Sequence, residues 1–149
     1  MGMLAFFERF GDLAFEETRV VTVPPGKAVP AGVYGLLEFY CTDGDCDCRR
    51  VIIQIVSKNS ADKVWATISY GWEDAAFYRK CSPGTEGGAE WFGATLDPLN
   101  SQSAHAGAFL SLFKHVVLQD KSYVDRLKRH YTMFKNLSRS PKRASAQKR

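Results

Sequence analysis

The sequence predicts an α+β domain: an antiparallel sheet of about four strands, with C-terminal amphipathic helices packed on one face. Two observations predict it. Runs rich in β-branched residues fill the first half of the chain, and their connections are too short for parallel crossovers. Beyond residue 100 the apolar period changes to steps of three and four, the pattern of helices that bury one stripe. Strands first and helices last give an α+β arrangement rather than alternating βαβ units. The 149 residues suffice for one domain with one core, assigned to residues 1–137, followed by a basic tail over residues 138–149.

The elements follow in order. Residues 1–16 hold Phe6, Phe7, Phe10 and Phe15 with loosely helical spacing, which Gly11 weakens. Residues 18–23 (TRVVTV) form a strand that stops at Pro24-Pro25-Gly26. Three more strands are read at residues 33–40 (VYGLLEFY), 50–57 (RVIIQIVS) and 63–70 (KVWATISY). The second of these is apolar on both faces, so it belongs at the centre of the sheet. Residues 82–101 are loop-rich, with Trp91 and Phe92 as anchors to the core. Ala108, Phe109, Leu112, Phe113, Val116 and Val117 mark a helix over residues 103–118, with Ser101 or Ser103 as its cap. Asp120 caps a second helix whose stripe is Tyr123, Val124, Leu127, Tyr131 and Phe134.

Charge is divided unevenly. Residues 1–120 carry ten basic and fifteen acidic side chains, whereas residues 121–149 carry ten basic and one acidic. The end of the chain, SRSPKRASAQKR, has no large apolar side chain to offset the entropy of ordering, and we expect it to be disordered. Together with Arg126, Lys128 and Arg129 it could present a basic surface to nucleic acid, so residues 126–149 are the candidate interface. The plainer reading is a solvated face. No run approaches 18 consecutive apolar residues, so no membrane span is expected. The N-terminus lacks the basic segment of a secretory signal, and a cytoplasmic location is expected.

The chemistry-bearing segment is FYCTDGDCDCRR, residues 39–50. It holds Cys41, Cys46 and Cys48 in a C-x4-C-x-C spacing, with Asp43-Gly44-Asp45 as turn residues. A tight turn between two strands that gathers three sulfurs is how a zinc knuckle presents thiolates. In a reducing compartment, clustered cysteines point to metal more than to disulfides. A Cys46–Cys48 disulfide would close a strained ring, and a Cys41–Cys46 disulfide or plain structural thiols are the alternatives. A phosphatase-type C-x5-R loop is excluded, because Asp47, Ile52 and Gln54 stand where the arginine is needed. No P-loop, dinucleotide fingerprint, H-E-x-x-H or G-x-S-x-G is present.

The expected metal is Zn2+, with Cys81 as the first candidate for the fourth ligand. His130 is the second, His105 the third, and a carboxylate or water remains open. Arg49 and Arg50 are expected to offset the charge of the thiolates. The functional expectation is a small zinc-binding protein with a structural cysteine knuckle over residues 41–48, acting by binding rather than by catalysis. The alternatives are a nucleic-acid accessory protein and a metal-dependent enzyme with an open zinc site, the latter drawing on Asp43, Asp45, Asp47, Glu73 and Asp74 for a general base.

Overall fold

The computed structural model describes residues 2–58, 60–81, 91–100 and 102–138. Six strands form one antiparallel sheet: β1 (Met3–Ala5), β2 (Arg19–Val23), β3 (Gly32–Cys41), β4 (Arg50–Ser57), β5 (Ser60–Gly71) and β6 (Gly93–Leu96). The spatial order is β1-β3-β4-β5-β6, and β2 also pairs with β3. Strand β1 meets the end of β3 at Phe39–Cys41, and β2 meets its beginning at Gly32–Leu36, so the two lie end to end along one edge. The expectation of about four strands is thereby corrected to six. The two extra strands are only three and four residues long, too short to show a period.

The apolar strand, β4, is central as expected. Its neighbours pair with it in long registers, Tyr34↔Ser57 through Phe39↔Ile52 on one side and Arg50↔Gly71 through Ile55↔Ala66 on the other. Alternation sends Tyr34, Leu36, Tyr40, Val51, Ile53, Ile55, Ala66 and Ile68 to one face, where they form the core. Helices α4 (Ala106–His115) and α5 (Lys121–Ser138) cover that face with Phe109, Phe113, Tyr123, Leu127 and Phe134. Asp120 begins α5 as expected, its carboxylate accepting the Ser122 backbone N–H at 3.0 Å. The Ser103 hydroxyl does not cap α4 directly. It accepts the His105 N–H and donates to the Trp65 carbonyl, which ties the helix entry to β5.

The N-terminal segment is a strand followed by two short helices, α1 (Phe6–Arg9) and α2 (Gly11–Glu17). A further helix, α3 (Ala75–Cys81), follows β5. Ser138 is the last residue of α5, its hydroxyl donating to the Phe134 carbonyl. The rest of the expected tail, residues 139–149, lies outside the described residues, as do residues 82–90. Among the described residues, no helix is long and apolar enough to cross a membrane.

Candidate metal centre

The β3–β4 connection turns on Asp43. Its carboxylate accepts the Asp45 N–H at 3.0 Å and its carbonyl accepts the Cys46 N–H at 3.2 Å. The chain therefore reverses between Cys41, at the end of β3, and Cys46. It enters β4 through Arg49, which has a left-handed φ of 46°. A non-glycine residue holds that conformation only where its surroundings fix it. Here the Arg49 N–H donates to the Tyr131 hydroxyl at 3.1 Å, and the Arg49 carbonyl accepts the Tyr78 hydroxyl at 2.8 Å.

This path brings Cys41, Cys46 and Cys48 together, with all three sulfurs within 4.8 Å of one another. Donors at about 2.3 Å around zinc stand roughly 3.8 Å apart in a tetrahedron, so three side chains this close could hold a metal ion after small rotations. Burial pushes the Cys46 thiol up to about 12, reinforced by its neighbours Cys48 and Cys41 and opposed by Lys135. Burial also raises Cys48, again against Lys135. A coordinated cation reverses that balance, since a metal deprotonates its thiol ligands outright.

Lys135, read from the sequence as part of the basic stretch 126–149, is instead a buried cation beside the thiols. It is only 2% exposed, and its ammonium donates to the Asp43 carbonyl at 2.7 Å. A buried ammonium is costly unless negative charge lies nearby. Its signal was present in the helix pattern: Lys135 falls four residues after Tyr131, inside the apolar stripe of α5. Of the two arginines expected to offset the thiolates, Arg50 lies near enough for Cys48 and Cys41 to support its charge, whereas Arg49 is paired elsewhere. Arg49 pairs with Asp47 at 2.9 Å and Glu73 at 3.4 Å. Arg50 donates to the Ser69 hydroxyl and stacks over Trp91.

The first candidates for a fourth ligand do not join the three thiols. Cys81 is exposed at the end of α3, and the metal-capable group among the described residues is Cys41, Cys46 and Cys48. The segment after β5 does return to the loop, where Tyr78 and Phe77 of α3 meet Arg49, but Cys81 is the last residue of that helix and is exposed. His130 is fully buried with both ring nitrogens engaged, Nδ1 with Glu38 at 2.7 Å and Nε2 with Glu17 at 2.8 Å. Its ring also stacks on Phe6 at 4.0 Å, and both nitrogens are already occupied by carboxylates. His105 packs its ring edge against Trp65.

The carboxylates weighed as a general base are largely committed to the loop itself. Asp47 accepts the Tyr131 hydroxyl at 2.8 Å as well as Arg49. Asp43 holds its turn, and Asp74 accepts the Phe77 N–H at 2.8 Å. Two of the basic side chains on α5 are engaged as well: Arg126 donates to the Glu17 carbonyl, and Arg129 grips both Glu17 carboxylate oxygens at 2.9 and 2.8 Å. Comparison with known protein families, curated proteins and solved structures finds no match for this chain.

Proposed function

We propose that the chain is a zinc-binding protein in which Cys41, Cys46 and Cys48 coordinate the ion as thiolates and a donor from outside the three occupies the fourth position. The observation that carries this reading is the convergence of three sulfurs beside one buried ammonium. Three thiolates and a divalent ion leave one negative charge, and Lys135 supplies one positive charge. The role is structural: the ion clasps the end of β3 to the start of β4, and the loop presents it to a partner. Catalysis is the weaker reading, because Asp47, Asp43 and Asp74 are already engaged in the loop and its flanks.

The test is metal analysis of protein purified without chelator, followed by cobalt substitution. One equivalent of zinc is expected, with a cobalt spectrum showing tetrahedral bands and thiolate charge transfer. Cys46→Ser should lose the metal, and Cys81→Ser should keep it with an unchanged spectrum. Lys135→Met should weaken binding by about 10- to 100-fold, the range of one lost charge-assisted interaction. Metal-free protein, or a cobalt spectrum altered by Cys81→Ser, would refute the assignment.

A further inference from the structure

The face of the sheet opposite the helices carries a cavity of about 850 Å³. Its floor is a single cross-strand row, Phe39–Ile52–Ser69–Thr95, taken from β3, β4, β5 and β6 in register. Trp91 and the turn at Leu99 form walls. The volume is that of a site for a drug-sized molecule, and the lining has the usual mixture of apolar surface and a few convergent polar groups.

Arg50 is the cation of this lining. Its guanidinium carbon lies over the Trp91 ring, 4.5 Å from the centroid, and the group donates to the Ser69 hydroxyl on the floor. Its Nε is shut off from solvent and has no hydrogen-bond partner among the described residues. No carboxylate among them pairs with it either. Asp97, the acid in the lining, spends its oxygens on its own turn, accepting the Leu99 N–H at 2.9 Å and the Asn100 amide at 2.6 Å. An arginine over an aromatic ring at an apolar cavity, with no carboxylate in ion-pair contact, is a recognition element for a planar anion, which would meet its terminal guanidinium nitrogens and not the enclosed Nε.

We propose that this cavity binds a small apolar monoanion, a carboxylate on a hydrocarbon or aryl body, with Arg50 receiving the carboxylate and the Phe39–Ile52 floor and Trp91 receiving the body. Arg50 follows Cys48 by two residues and feels the charge of Cys48 and Cys41, but none of the three thiols lines the cavity, and the proposal does not require that they hold a metal. The anionic head is what selects the ligand. A neutral molecule of the same shape gains the same apolar burial but leaves the Arg50 charge without a counter-charge from the ligand.

Calorimetric titration of the full chain with decanoate, decan-1-ol and decyltrimethylammonium tests this. Saturable one-to-one binding of decanoate is expected, at least about tenfold tighter than decan-1-ol, with the cation weakest. Arg50→Gln should bring decanoate down to the level of the alcohol. Thr95→Trp, which places an indole on the exposed edge of the floor without touching Arg50, should abolish decanoate binding. Cys46→Ser should leave it intact, so failure here and failure of the metal site are read separately. No saturable binding, equal affinity for acid and alcohol, or binding unaffected by Thr95→Trp would overturn the proposal.

Discussion

Glu38, His130 and Lys135 are ionisable side chains enclosed with the core, and each sits where the local period calls for an apolar residue. Glu38 occupies the inward register of β3 between Leu36 and Tyr40. It accepts the Tyr40 hydroxyl and faces His130, which in turn faces Glu17. Breaking the alternation was thus the readable sign of a buried network, although the partner of Glu38, 92 positions away, was not legible from local pattern. Glu17 closes the chain of contacts toward solvent. Hydrogen bonds from Arg129 and His130 lower its carboxyl from 4.5 to about 2. A group with a depressed folded pKa contributes stability that is complete above its unfolded value and vanishes as pH falls through the folded one. Urea midpoints should therefore decline between pH 4.5 and about 2, and Glu17→Gln should flatten that decline while lowering the midpoint at pH 7. An unchanged profile in the variant would show that the contact contributes nothing to folding.

At the scale of elements, the long strands and helices were legible and the short ones were not. The span of β4 matches the β-branched run RVIIQIVS residue for residue, because apolar residues on both faces mark its extent. Strand β6, GATL, carries too little apolar surface to be seen, and it exists because the edge of β5 pairs with it. The three thiols were named from spacing alone. Cys81, which is not among the three close thiols, was harder to place for a physical reason: a strand fixes where its own residues go, not where the next helix carries the chain. Gly71 is the hinge of that departure. It pairs with both Arg50 and Gly93, and a Cβ there would meet the Trp91 carbonyl at 2.2 Å and the Tyr78 hydroxyl at 2.6 Å. Gly71→Ala should cost at least about 1–3 kcal/mol in a denaturation experiment, as overpacking does. The same change at Gly107, which meets nothing within 4 Å, should cost nothing and serves as the control.

For the whole molecule, the core and the thiol loop are largely separate. The buried cluster runs from Phe6 through Phe134 and includes none of the three cysteines, although Cys48 packs against its margin. Metal removal should then lower stability without unfolding the chain. With free zinc at about a hundred times the dissociation constant, linkage sets the difference at about 2.7 kcal/mol. Chelated protein should keep its far-ultraviolet dichroism and show a lower urea midpoint. Loss of secondary structure on chelation would mean that the ion, not the core, holds the sheet. The ammonium that answers the thiolates lies 92 residues downstream of its own carbonyl partner, Asp43. A ribosome therefore releases the cysteine loop long before it releases Lys135. Any ion captured by the growing chain is held at first on an uncompensated anionic cradle, and docking of the last helix completes the assembly.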